Sequence, residues 1–94
     1  MTTGYGLERD DYLKRLARIE GQVRGIAKMV EEDRYCIDVL TQIVSVTSAL
    51  RSLGLGLVDQ HIRTCVRAGF ETDDELGDER ITEATRSIER LLRA

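Results

Sequence analysis

"CIDVLTQIVSVTSALRSLGLGLVDQHIRTC", residues 36–65, is the stretch whose reading decides the fold. It contains no proline, and Cys36, Leu40, Ile43, Thr47, Leu50, Gly54, Leu57, His61 and Cys65 recur at steps of four and three. That spacing lays one stripe along one side of a helix and predicts a single long helix over about residues 35–68. Gly54 and Gly56 weaken it by about 1 kcal/mol each relative to alanine, but glycine without proline does not force a break.

Outward from this segment the same periodicity returns twice. Upstream, Tyr12, Leu16, Ile19, Val23, Ile26 and Val30 form a stripe that predicts a first helix over about residues 8–32. "EEDRY" (31–35) interrupts it, with Asp33 as the expected N-cap of the long helix. Downstream, "AGFETDDELGD" (68–78) reads as a loop. Asp78 is then placed to cap a third helix over about 79–93, with the stripe Ile81, Ala84, Ile88 and Leu91. The expectation is an all-α, three-helix protomer forming one domain over residues 1–94.

Composition agrees with helices and asks for a partner. There is no proline, aromatics make up 4%, and a chain of 94 residues struggles to bury enough apolar area alone. Oligomerisation is expected. The N-terminus "MTTGYGLERDDYLKRL" lacks the basic-then-apolar pattern of an export signal, and no run of about 18 apolar residues is present, so a cytoplasmic protein without a membrane span is expected. In that setting the two cysteines are expected to be reduced thiols. The net charge of −3 is unevenly spread: residues 1–67 hold ten Lys or Arg against nine Asp or Glu, and residues 68–94 hold four against eight. The front of the chain is free to carry a basic face.

The stripe of the long helix begins and ends with soft metal ligands. Cys36 and His61 are 25 residues apart, roughly 37 Å along a helix at about 1.5 Å per residue, so one chain cannot bring them to one ion. Twenty-five steps of about 100° nevertheless return both side chains to one face. An antiparallel copy, crossing near Ala49 and Leu50, would set Cys36 of one chain opposite His61 and Cys65 of the other. Ser45, Ser48, Ala49 and Ser52 are small enough to admit a close crossing, and helices 1 and 2 of two chains would complete a four-helix bundle. Two thiolates and an imidazole form a soft three-donor set that suits Cu(I), whereas zinc normally takes a fourth ligand. The His-x3-Cys pair alone is equally what two core residues on one stripe look like.

Three motifs carry a resemblance. "RLARIEGQVRGIAKM" (15–29), "DRYCIDVLTQI" (33–43) and "HIRTC" (61–65) resemble, in order and spacing, the copper-sensitive operon repressor family of bacterial transcriptional regulators, over about residues 8–92. The resemblance implies an antiparallel dimer, a tetramer of two dimers, and a repressor that binds double-stranded operator DNA without metal and is released by its inducer. It implies Cys36, His61 and Cys65 as Cu(I) ligands. Nickel- or cobalt-sensing relatives replace the last cysteine by histidine, and persulfide-sensing relatives lack the histidine, so His61 separates the copper reading from a thiol or persulfide sensor using Cys36 and Cys65. Tyr35 and Glu83 match positions that couple the site to the fold, with Glu79 a neighbouring candidate.

Lys14, Arg15, Arg18 and Lys28 give helix 1 a basic edge, with Arg51 on helix 2 as a possible neighbour, but no helix-turn-helix or zinc-finger pattern is present. The resemblance assigns Arg15 and its basic neighbours to the DNA face. A physical role for Tyr35 or Glu83 follows if one nitrogen of His61 binds copper, because the other then carries a proton and needs an acceptor. An enzyme is not expected, since a single histidine without an acid or nucleophile at fixed spacing forms no catalytic constellation.

Overall fold

The computed structural model describes residues 8–93, and they are helical almost throughout: α1 (Arg9–Glu31), α2 (Cys36–His61), a π-helical turn (Ile62–Val66), α3 (Arg67–Thr72) and α4 (Asp74–Arg93). They divide into two compact units, Arg9–Leu53 and the residues from Gly54 onward.

The first unit is an antiparallel pair, α1 against the front of α2. Arg15 near the start of α1 donates from Nη2 to Ser52 Oγ at 3.3 Å, while the other end of α1 is tied to α2 by the short link 32–35. Tyr12 and Ile19 from α1, with Val46 and Leu53 from α2, are its buried residues. Val39 and Ala49 lie half-buried on the same side of α2.

The link differs from its expected form. Asp33 does not cap α2; it adopts the left-handed conformation at φ 53° and closes α1. Its amide donates to Val30 O at 3.1 Å and that of Arg34 to Met29 O at 3.0 Å, the paired bonds of a Schellman motif. Aspartate tolerates this conformation better than most residues, which is why the helix stops here without glycine.

The apolar stripes are wider than one neighbour can cover. On α1, Leu16, Val23 and Val30 are 40–60% exposed although they belong to the predicted stripe, because the side turned to α2 runs through Tyr12, Ile19 and Ile26 instead. On α2, Leu40, Ile43 and Leu50 of the predicted stripe are exposed, beside Ile37 and Val44. Each helix therefore has one apolar line spent inside the unit and a second left bare. By length and composition only, Cys36–Thr72 is also long and apolar enough to cross a membrane, with an 18-residue window at mean hydropathy 1.2 of which 11% is buried.

The second unit is a helical hairpin that doubles back at Asp73. Residues 68–78, expected as a loop, are helical apart from this one extended residue (φ −164°, ψ 160°). The N-cap is Asp73, not Asp78: its Oδ1 accepts the Leu76 amide at 2.7 Å, and Asp74 and Glu75 fill the first turn of α4, where acidic groups complement the helix dipole. The third helix thus starts at 74 rather than 79. The long helical run reaches Thr72 instead of 68, by way of the π-helical turn, in which i→i+5 bonding takes up one extra residue. Two antiparallel contacts give the register of the hairpin: Leu91 packs on the bare backbone at Gly54, and Gly69 lies against Gly77. Val66, Gly69, Gly77 and Ala84 are buried between the arms.

Candidate metal centre

His61 is the last residue of α2 and is held by the hairpin. Its ring Nε2 lies 3.0 Å from the backbone carbonyl of Arg80 on α4. A carbonyl can only accept, so Nε2 is the donor, and in the neutral tautomer this requires, Nδ1 is the nitrogen left with a lone pair for a metal. Cys65 follows four residues later, within the π-helical turn, and is half-buried. At four residues apart, about one turn, the two residues are neighbours on one side of the helical run. Thr64 Oγ1 stands 3.7 Å from Cys65 Sγ and donates to Gln60 O at 2.7 Å, which fastens the turn to the end of α2.

Cys36 opens α2 and is exposed. The Tyr35 carbonyl accepts the amides of Asp38 at 3.0 Å and Val39 at 3.3 Å, so backbone bonds close the first turn that carries the thiol. Neither cysteine is in a disulfide. Among the described residues, no three His, Cys, Asp or Glu side chains of the chain gather closely enough to hold a metal ion. What one protomer offers is a His–Cys pair at one end of α2 and a single thiol at the other.

Within the protomer, the group that meets His61 Nε2 is the Arg80 carbonyl. Tyr35 is 67% exposed. Glu83 pairs through Oε1 with Arg80 Nη1. The residue that sequence reasoning passed over is Arg80, whose carbonyl lies 3.0 Å from the ring nitrogen. No side-chain pattern could have found it, because every residue carries a carbonyl and only the α3–α4 register decides which one meets the ring. Glu79, the neighbouring candidate, is exposed on α4.

The basic residues divide by environment. Lys14 and Arg18 are exposed and four residues apart on one side of α1. Arg15 is half-buried and spends a donor on Ser52, so in the protomer it also fastens α1 to α2. Arg51 is exposed on α2, next to Ser52. Lys28 faces Glu32 at 3.9 Å, a loose and largely solvated pair.

Comparison with known proteins places this arrangement. The family described as metal-sensitive transcriptional repressors matches residues 8–93. The chain is 54% identical over 91 residues to the copper-sensing transcriptional repressor RicR of Mycobacterium tuberculosis, spanning 97% of this chain and 95% of that protein. It is 46% identical over 76 residues to the copper-sensing transcriptional repressor CsoR of Bacillus subtilis, spanning 81% and 73% respectively. Among solved structures, the copper-sensing repressor CsoR with Cu(I) from Geobacillus thermodenitrificans superimposes with a TM-score of 0.85 at 39% identity, covering 98% of this chain and 94% of that one. The all-α protomer, its ordered motifs and these matches together make the chain a member of the metal-sensitive transcriptional repressors, a family of regulators rather than enzymes.

Proposed function

We propose that this protein is a Cu(I)-responsive transcriptional repressor that holds double-stranded operator DNA in its metal-free form and loses DNA affinity when Cys36 of one subunit and His61 and Cys65 of the partner subunit bind one Cu(I) ion. The observation that carries the reading is the bond from His61 Nε2 to the Arg80 carbonyl, which leaves Nδ1 available, with Cys65 four residues further along the same helical run. Two thiolates and this nitrogen suit a soft monovalent ion better than hard cations. Bound there, the ion supplies a link between donors from two subunits and takes no part in chemical conversion. The names of the relatives, copper-sensing repressors, point the same way.

The second subunit supports the reading on separate grounds. Cys36, Leu40, Ile43 and Leu50 lie on one bare apolar line of α2, and an exposed patch of this kind on a small protein asks for cover. An antiparallel copy covers it and delivers the missing thiol, so the homo-oligomer and the metal site require each other. DNA contacts are assigned to Lys14, Arg15, Arg18 and Arg51, directed mainly at phosphates and therefore salt-sensitive. In this scheme Tyr35 and Glu83 are the groups through which a filled site would act on the helices around it.

Anaerobic Cu(I) titration with fluorescence anisotropy on promoter DNA tests the proposal. One ion per protomer and loss of DNA binding on filling are expected, with both effects abolished in Cys36→Ala. Copper binding that survives Cys36→Ala unchanged would refute the shared site. DNA release on oxidation without copper, with an intersubunit disulfide on non-reducing gels, would favour the thiol sensor instead.

A further inference from the structure

The α3–α4 hairpin crosses on two buried glycines. A Cβ on Gly69 would lie 3.1 Å from Gly77 Cα, 3.2 Å from Gly77 N and 3.2 Å from Arg80 Cγ. Two of those three atoms are backbone and cannot rotate aside. The Phe70 ring lies across Gly77 on the same crossing, where a Cβ would run into it. Glycine weakens a helix wherever it occurs, so a pair facing each other needs a local reason. One is visible three residues beyond Gly77: the Arg80 carbonyl, the acceptor for His61 Nε2 at 3.0 Å. A hydrogen bond of that length does not survive a displacement of even half an ångström or so without weakening. The spacing of the two helices at the crossing therefore decides whether the carbonyl reaches the ring.

We infer that the Gly69–Gly77 crossing is a positioning device for His61: by letting the α3 and α4 backbones touch, it holds the Arg80 carbonyl on Nε2–H, fixing the ring and the nitrogen that faces away from it. This deepens the copper reading and rests on it for its purpose. The hold on the ring is a property of the metal-free chain and is measured without copper.

The chain has one histidine, so its ring signals in a nitrogen-15 NMR spectrum need no assignment. Metal-free protein is expected to show a His61 Hε2–Nε2 cross-peak protected from exchange with water. Gly69→Val is expected to lose it while helicity by circular dichroism is retained, and to weaken Cu(I) binding about 10- to 100-fold, the range typical for groups that orient a metal-bound histidine. Gly69→Ala, which asks the helices to part by only tenths of an ångström, provides a milder step if the valine variant does not fold. Arg80→Ala keeps both the carbonyl and the glycine crossing, and is expected to retain the cross-peak. A protected cross-peak in folded Gly69→Val, its loss in Arg80→Ala, or unchanged Cu(I) affinity once it is lost would each overturn the inference. A wild-type protein that shows the protected ring but binds no Cu(I) would instead sink the copper reading and leave the glycine crossing's hold on His61 standing.

Discussion

Replacing Leu40 by alanine separates the two apolar lines of α2 in a single measurement. Leu40 is 53% exposed in the protomer, whereas Val46, on the other line, is 9% exposed. Full burial of a leucine side chain contributes about 1.5–3 kcal/mol, so covering the half still exposed is worth about 1–1.5 kcal/mol. A two-fold dimer buries it twice, which makes the truncation cost about 2–3 kcal/mol of association energy. At about 1.4 kcal/mol per decade, the dimer constant weakens by about 30- to 150-fold. Helicity of the associated protein is expected to be unchanged, because the residue lies outside the protomer core. Val46→Ala is the opposite case: losing two buried methyl groups costs the protomer about 1–2 kcal/mol and lowers its own stability. Sedimentation equilibrium over a dilution series, with urea unfolding at several protein concentrations, reads both effects. A Leu40→Ala protein that dissociates no more readily than wild type would refute the argument that this line is a subunit seam.

Further outcomes follow from single features of the protomer. Asp33→Gly relieves the left-handed residue that ends α1 and is expected to raise stability by about 0.5–1 kcal/mol, seen as a higher urea midpoint; Asp33→Val should lower it. Gly25 has nothing within 4 Å of a built Cβ, so Gly25→Ala should gain the helix propensity of about 0.8–1 kcal/mol and raise the melting temperature by about 4–8 °C. A fall in melting temperature would show that a subunit presses on this face in the assembled protein. If the proposed DNA face is right, Lys14→Ala with Arg18→Ala removes two phosphate contacts per subunit and should reduce the slope of log affinity for operator DNA against log salt by about 2 for each subunit on the DNA, leaving Cu(I) stoichiometry at one per protomer.

What the residues alone determined is the helical character and the candidate ligands. The four-and-three spacing from Cys36 to Cys65 specifies one side of a helix whatever packs on it, and a soft donor set follows from residue type without coordinates. What tertiary structure decided is which line of each stripe is used. Leu16 and Ile19, or Leu40 and Val46, are equally apolar as letters, and only the α1–α2 packing buries one and bares the other. The segment 68–78 reads as a loop because its glycines and acids carry turn chemistry, yet Gly69 and Gly77 serve close helix contact, and the single extended residue Asp73 suffices for the reversal. The Arg80 carbonyl was illegible for the same reason. Backbone acceptors are identical along a chain, and only the hairpin register selects the one that meets His61.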